Sequence, residues 1–259
     1  MTLIISVARD DFAIQVSDRR LTSLSGAIVD EKANKTVCVI CNDAMFALSY
    51  CGLATLPEGR TDEWLVDYLA TSHAGQKNFK ELFEELRAAL VSKFGPLGPH
   101  RRVTLALAGF VRGKSFFAHI SNFEDPLGNR LSEIDDTFPT GIFLKNEHPM
   151  RKAGIGVYGA DAALRKFIEG GALRKIAAQL GEVPQDKAIA LVAQIFRTAS
   201  DDESFGKLIG RDLMTVVGDP KAGFLANYLT DGDRKISYMP HLISPQAAFK
   251  SITLKIGDW

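Results

Sequence analysis

The sequence is short of cysteine, of long apolar stretches and of any excess of charge, and each absence excludes a class of protein. Three cysteines among 259 residues exclude a fold that depends on a disulfide framework. No apolar run reaches the roughly 18–20 residues that cross a membrane. Lys+Arg and Asp+Glu both number 31, so the formal net charge is +0. We therefore expect neither a nucleic-acid partner nor a membrane partner.

The few histidines and cysteines also argue against a metal site. The five histidines are scattered along the chain without ligand spacing. Cys38 and Cys41 form a C-x-x-C, which could be a redox pair or half of a metal site. However, the surrounding segment is typical of a strand, on which residues three apart point to opposite faces. We favour buried structural cysteines over a functional pair, and we expect no metal and no cofactor.

What remains is the composition of an ordinary globular protein. With 46% hydrophobic and 24% charged residues, the chain can bury a sizeable core without disulfides or metals. No internal repeat or low-complexity linker divides it, so we predict a single domain over residues 1–259, with a C-terminal strand extension from about residue 220. The start lacks the pattern of a signal peptide, and we expect a cytoplasmic protein.

The pattern of apolar residues predicts blocks of strands and helices. Three hairpins are predicted: Thr2–Ala8 with Phe12–Asp18, Thr36–Cys41 with Ala44–Tyr50, and Val103–Val111 with Ser115–Ile120. Helices are predicted from an N-cap at Thr61, around Phe79 to Leu90, and at Ala160–Glu169, Ala172–Leu180 and Asp186–Ser200. Later strands are predicted at Leu213–Val217, Phe224–Leu229, Ile236–Met239 and Ser251–Lys255. Hairpins between blocks of helices favour an α+β fold, a four-layer αββα sandwich of two antiparallel sheets flanked by helices.

The first 35 residues hold the parts of an N-terminal nucleophile. Thr2 follows Met1, and Asp18 ends the apolar face of its predicted strand, where a carboxylate is costly unless a cation such as Lys35 pairs with it. A plain loop-capping aspartate is the alternative. If Met1 is removed, the α-amine of Thr2 has a pKa of about 7.7–8.0 and can take the proton of its own hydroxyl. A nearby lysine would lower the pKa of that amine.

An ordered set of short motifs resembles proteasome β-type subunits, which are N-terminal nucleophile (Ntn) hydrolases. The matching pieces are Thr2-Leu3-Ile4, Val16-Ser17-Asp18-Arg19-Arg20-Leu21-Thr22, Ile28-Val29, Lys35, Phe46 to Ala54, Asp201-Asp202-Glu203-Ser204, Gly206 and Gly210. They cover about half of the chain, and the order of the predicted elements agrees with the family.

The resemblance implies a catalytic set. Thr2 would be the nucleophile, with its α-amine or a bound water as the base. Lys35 would tune that base, and Asp18 would orient Lys35. The remaining implied catalytic residues are Gly52, whose N–H would help to form the oxyanion hole, and Asp201 and Ser204, which would support the N-terminus.

The resemblance also implies a substrate site. Thr22 would offer backbone hydrogen bonds to an extended peptide, and Tyr50 and Ala54 would border the specificity pocket. The family usually places a serine beside the nucleophile, in a glycine-rich turn before a helix. Here Tyr158 or Ala160 falls at that place, and a tyrosine hydroxyl could substitute whereas an alanine could not.

Three further features have alternative interpretations. The loop before Lys35 is slightly longer than in the family, so Lys32 is the alternative lysine. The glycines at 154, 156 and 159 match G-x-G-x-x-G, but no apolar strand precedes them, so we predict a tight turn rather than a dinucleotide site. The basic pairs Arg19-Arg20 and Arg101-Arg102 are expected at the solvated surface.

Together these residues predict an N-terminal threonine amidohydrolase, a proteasome-like peptidase that cleaves peptide bonds through an acyl-enzyme on Thr2. The alternatives are a catalytically inactive proteasome-like scaffold subunit and a stand-alone amidase for a small molecule. The expected partners are a peptide or amide substrate and further copies of the chain in a homo-oligomer. A ring of copies and an ATPase partner are left open.

Overall fold

The computed structural model describes residues 2–22, 27–97, 101–148, 150–160, 162–170, 176, 178–230, 240–245 and 252–258. The strands within these ranges are β1 (Ile4–Ala8), β2 (Ala13–Asp18), β3 (Leu21–Thr22), β4 (Ile28–Asp30), β5 (Thr36–Ile40), β6 (Ala44–Gly52), β7 (Thr55–Leu56), β8 (Gly59–Arg60), β9 (Val103–Val111), β10 (Lys114–Ser121), β11 (Thr140–Leu144), β12 (Gly154–Tyr158), β13 (Leu213–Asp219), β14 (Gly223–Thr230), β15 (His241–Ile243) and β16 (Ile252–Asp258). The α-helices are α1 (Thr61–Thr71), α2 (Phe79–Phe94), α3 (Ala162–Gly170) and α4 (Gln185–Asp201).

Most of the described strands belong to two six-stranded sheets. Sheet I has the order β12-β1-β2-β13-β14-β16, and sheet II has the order β11-β10-β9-β6-β5-β15. Pairing is antiparallel throughout both sheets except at one edge of each, where β16 runs parallel to β14 and β15 runs parallel to β5. The short pairs β3–β4 and β7–β8 lie outside the two sheets.

The alternation of side chains along each strand builds four layers. Ile5 and Val7 of β1, with Leu3 just before it, pack in one core with the apolar faces of α3 and α4. On β6, Phe46 and Leu48 pack in another core with α1 and α2. The opposite faces of the strands meet between the sheets. The predicted α+β sandwich of two sheets between helical layers is therefore confirmed, with a parallel pair at one edge of each sheet.

The hairpins and most helices fall where the sequence predicts them. All three predicted hairpins form, and Arg112 and Gly113 make the third turn with φ angles of 50° and 75°. Helix α1 begins one residue earlier than expected, because Arg60 rather than Thr61 is the N-cap. The predicted strand Ile236–Met239 and most of the predicted helix Ala172–Leu180 lie outside the described residues. The single-domain assignment stays a prediction.

The glycine-rich segment before α3 differs from its prediction. Residues Gly154–Tyr158 form the edge strand β12, paired antiparallel with β1, instead of a tight turn. The glycines leave room for aromatic rings: a Cβ on Gly154 would lie 2.1 Å from Cε1 of Phe143, and one on Gly156 would lie 3.0 Å from Cδ2 of Phe117. Rings from sheet II therefore fill the space over this strand, which the local sequence alone does not show.

Among the residues that the structure describes, no helix combines the length and the apolar character needed to cross a membrane.

Candidate active site

Thr2, Asp18 and Lys35 come together where β1 and β2 of sheet I approach the start of β5 in sheet II. The β1–β2 pairing sets Ile4 opposite Ser17, and Leu3 exchanges hydrogen bonds with Asp18, the last residue of β2, so Thr2 is the next residue along the chain from that contact. Lys35 immediately precedes β5. All three side chains are buried, since the exposed fractions are 5% for Thr2, 0% for Asp18 and 1% for Lys35.

The ammonium group of Lys35 joins the other two residues. Its Nζ donates a hydrogen bond to Thr2 Oγ1 at 2.8 Å and approaches Asp18 Oδ1 at 3.5 Å. It also donates to the backbone carbonyl of Arg20. The structure therefore places Lys35, rather than the alternative Lys32, against the candidate nucleophile.

Backbone donors hold the carboxylate of Asp18 in place. Its Oδ1 accepts from the N–H of Leu3 at 3.0 Å, and its Oδ2 accepts from the N–H groups of Arg20 and Gly210, each at 3.2 Å. Ionised carboxylates favour such donors strongly when buried. Three separate segments of the chain thus fix the position of Asp18, and through it the lysine.

Burial and charge act on Lys35 in opposite directions. Burial is the larger influence and lowers the pKa of its ammonium group, whereas Asp18 raises it; the net pKa lies below that of an ordinary lysine. An ammonium group at 2.8 Å from Thr2 Oγ1 also stabilises negative charge that develops on that oxygen during attack. The arrangement can therefore activate a hydroxyl nucleophile.

Arg19 is buried, which contradicts the prediction that it lies at the solvated surface. Its exposed fraction is 1%, and its guanidinium donates to the carbonyl oxygens of Lys32 and Ala33, the latter at 3.3 Å. The guanidinium carbon also lies 4.6 Å from the ring centroid of Tyr228. The loop that leads to Lys35 and the ring from β14 close over Arg19, and neither is near it in sequence.

Gly52 ends β6 in a conformation that only glycine adopts readily. Its φ is 103°, and a Cβ there would lie 2.0 Å from the carbonyl oxygen of Arg102. The preceding residue, Cys51, is buried and borders the site. Gly52 therefore lies one residue from the site, and its role as an oxyanion donor stays a prediction.

The turn after β12 contacts Thr2 through Gly159. Its φ is 78°, and a Cβ there would lie 2.0 Å from the backbone oxygen of Thr2 and 2.9 Å from Cys51 Sγ. Tyr158 folds its hydroxyl back toward Gly156, while Ala160 packs in the core under α3. No hydrogen bond among the described residues joins the Tyr158 hydroxyl to Thr2, and Ala160 has no hydroxyl to offer.

Asp201 and Ser204 are exposed, at the end of α4 and just after it. Asp201 ends α4 and forms an exposed ion pair with Arg211 at 2.8 Å. Ser204 is exposed, and its backbone N–H donates to the Asp202 side chain at 2.9 Å. No hydrogen bond among the described residues joins either side chain to Thr2, Asp18 or Lys35. The segment reaches the site farther on, through the N–H of Gly210.

The residues predicted to bind substrate lie on separate elements. Thr22 is half-buried on β3, opposite Ile28. Tyr50 is buried in the core under α1 and α2, and its backbone N–H donates to the carbonyl of Lys35 at 3.2 Å. Ala54 is half-buried and accepts from the N–H of Thr61 at 3.0 Å. Their contacts with a substrate stay predictions.

Glu124 is a buried acid that the sequence analysis misses. It follows β10, in a segment rich in turn residues where no periodicity marks a buried side chain. Its exposed fraction is 0%, and burial raises its pKa to about 7. The adjacent Ser121, Asn122 and Phe123 are also buried, so this segment is part of the interior.

The cysteines and histidines do not form a metal site in the part of the chain described. Cys38 lies in the core between the sheets, and Cys41 lies on the helical side of sheet II, so the two thiols point to opposite faces. No group of three or more His, Cys, Asp or Glu residues is arranged to hold a metal ion within the described ranges.

Comparison with known proteins supports the architecture. No protein-family model matches the chain, and no curated protein matches it. Among solved structures, it is similar to Anbu (Gly-1) mutant from Hyphomicrobium sp. strain MC1, with a TM-score of 0.54 and 14% sequence identity over 85% of this chain and 82% of that chain. The likeness supports the α+β sandwich architecture. At this identity, the likeness concerns the fold alone.

Proposed function

We propose that this protein is an N-terminal threonine amidohydrolase, a proteasome-like peptidase that cleaves peptide bonds through an acyl-enzyme on Thr2. The observation that carries the proposal is the 2.8 Å hydrogen bond from the buried Lys35 Nζ to Thr2 Oγ1, with Asp18 beside it. A buried lysine–aspartate pair is expensive to desolvate. Here the lysine of the pair contacts the hydroxyl of Thr2, the residue that would have a free α-amine once Met1 is removed.

The proposed reaction follows from these positions. The neutral α-amine of Thr2, or a water that it holds, takes the proton from Oγ1 as Oγ1 attacks the substrate carbonyl. The ammonium of Lys35 lowers the pKa of that amine below its usual value of about 7.7–8.0. The N–H of Gly52 donates to the oxyanion of the tetrahedral intermediate. The proton then passes to the leaving amine, and water hydrolyses the ester on Thr2.

Intact mass and one substitution test the proposal. We expect purified wild-type protein to lack the mass of one methionine residue and to cleave members of a fluorogenic peptide panel. Thr2→Ala should lower the rate by roughly a thousandfold or more, as the loss of a nucleophile does. Thr198→Ala is the matched control, because this exposed hydroxyl on α4 donates to its own helix, at the carbonyl of Gln194. Retained Met1 in active protein, or full activity in Thr2→Ala, would contradict the proposal.

A second candidate function is a proteasome-like scaffold subunit without activity. It is favoured by Gly159, which stands against Thr2 without a hydroxyl, and by the exposed positions of Asp201 and Ser204. In that case, the protein should keep its assembly while Thr2 is unreactive. Light scattering measures the size of the assembly. A closed ring of copies would indicate a chambered peptidase or its scaffold, whereas a monomer or dimer would indicate a stand-alone amidase.

A further inference from the structure

The glycine that contacts Thr2 is held from its other side by a buried carboxylate. The N–H of Gly159 donates to Glu124 Oε1 at 3.0 Å, and Glu124 is fully buried. A Cβ on Gly159 would lie 2.0 Å from the backbone oxygen of Thr2. A single residue therefore separates the carboxylate of Glu124 from the backbone of the candidate nucleophile.

The hydrogen bonds around Glu124 favour its ionised form. Thr104 Oγ1 donates to Glu124 Oε2 at 2.7 Å, which uses its only proton. In the 2.6 Å contact between Thr104 Oγ1 and Ser121 Oγ, the serine must therefore donate. Ser121 Oγ in turn accepts from the N–H groups of Phe123 at 3.1 Å and Glu124 at 3.0 Å. Both carboxyl oxygens thus act as acceptors, which suits the ionised form.

The charges that face Glu124 come from several elements. The guanidinium of Arg165 on α3 lies 4.0 Å from Glu124 Oε1. The backbone of Arg130 forms an isolated antiparallel β-bridge with that of Glu124. Both arginines lower its pKa, but burial outweighs them and raises it. Cys51 of β6 and Tyr158 of β12 face the same carboxylate; burial, and after it the charge of Glu124, raises the pKa of each. Glu124 is thus a buried acid whose pKa is both raised by burial and lowered by arginines, and it lies next to the candidate site. These properties are typical of residues that act in a functional site.

We propose that Glu124 is a positioning residue for the nucleophile: its carboxylate holds Gly159, and thereby the backbone of Thr2, where Lys35 reaches Thr2 Oγ1. This inference rests on the proposed function. Protonation of Glu124 turns one acceptor oxygen into an O–H and weakens the hold on Gly159 or on Thr104. Acylation of Thr2 should therefore slow as Glu124 takes up its proton.

Acylation of Thr2 by a β-lactone probe, followed by intact mass, tests the proposal without a known substrate. Above a pH of about 7, the Glu124→Gln variant should react roughly tenfold to a hundredfold more slowly than wild type, because small displacements of a reacting group cost that much. Below that pH, the ratio of the two rates should approach one, since wild-type Glu124 is then protonated. The titration of the α-amine divides out of this ratio. As a control, Ser115→Ala, which removes a buried hydroxyl from β10, should react at the wild-type rate.

A nuclear magnetic resonance experiment tests the contact itself. Tyr158–Gly159 is the only Tyr-Gly pair in the sequence, so carbonyl-labelled tyrosine with nitrogen-labelled glycine gives a single amide signal. That signal should titrate with a midpoint at about pH 7 in wild type and lose this titration in Glu124→Gln. Thr104→Val, which removes one donor to the carboxylate, should move the midpoint upward.

The outcomes separate the two proposals. If the wild-type protein lacks Met1 but does not react with the probe, the proposed function is wrong. The Gly159 signal still tests the role of Glu124 in that case. A Gly159 signal that is unchanged in Glu124→Gln overturns the positioning role. A rate ratio that does not vary with pH also overturns it, even if Thr2 proves to be the nucleophile.

Discussion

The residue that organises the candidate site is a lysine without exposed surface. Lys35 contacts a hydroxyl, a carboxylate and a carbonyl, and each contact compensates part of the cost of burying its charge. Burial still prevails and lowers its pKa. In the unfolded chain, a lysine has a pKa of about 10.4, so the unfolded state binds more protons between the two pKa values.

This difference predicts how stability depends on pH. Because the unfolded state binds more protons in that window, the free energy of unfolding should rise with pH between the lowered pKa of Lys35 and about 10.4. Lys35→Met should remove this contribution and flatten the rise, measured by urea unfolding at several pH values. Lys152→Met is the control, since the Lys152 side chain is 66% exposed beside Glu182. An unchanged slope in Lys35→Met would show that burial does not depress this pKa.

At the scale of elements, close approaches of the backbone shape the site. Gly52 at the end of β6 meets the carbonyl of Arg102, just before β9, and Gly159 after β12 meets the backbone of Thr2. Both glycines have positive φ angles. Because neither glycine has a side chain, the backbone can approach closely at these two strand ends around the candidate site.

Substitution of two glycines separates conformational strain from close approach. Gly113→Ala, where φ is 75° and nothing lies within 4 Å of the added Cβ, should cost about 1–2 kcal/mol from the backbone conformation. Gly52→Ala should cost about 1–3 kcal/mol more, because its Cβ would displace the carbonyl of Arg102. Urea unfolding of the two variants measures this difference. Equal losses would show that the end of β6 adjusts freely.

At the scale of the whole molecule, the segment after β14 joins both sheets. Strand β15 pairs with β5 of sheet II over three positions, and β16 pairs with β14 of sheet I over seven. Leu242 packs in the core between the sheets, and Ile243 packs on the helical side of sheet II. The C-terminal strands therefore cover an edge of each sheet that would otherwise expose unpaired backbone groups.

Truncation should reveal the contribution of each strand. A chain that ends at Pro245 loses β16, and a chain that ends at Thr230 loses both strands. Each lost backbone hydrogen bond costs about 1 kcal/mol, so the first truncation should lower the thermal midpoint more than the further step does. The shortest chain should also scatter more light, because two strand edges are then open to association. A wild-type midpoint for either truncated chain would contradict the role of its missing strand.

Local patterns along the sequence predicted the hairpins, most helices and the three candidates Thr2, Asp18 and Lys35. Alternation, helical spacing and turn residues are local signals, and a residue type shows its chemistry wherever it stands. Only the tertiary structure decided which groups meet. The donor from Gly210 to Asp18 comes from 192 residues away, and Glu124 has no local signal at all. Burial and hydrogen bonding depend on such distant partners. They bring Glu124 to Gly159, beside the candidate nucleophile Thr2, and they leave Asp201 and Ser204 exposed.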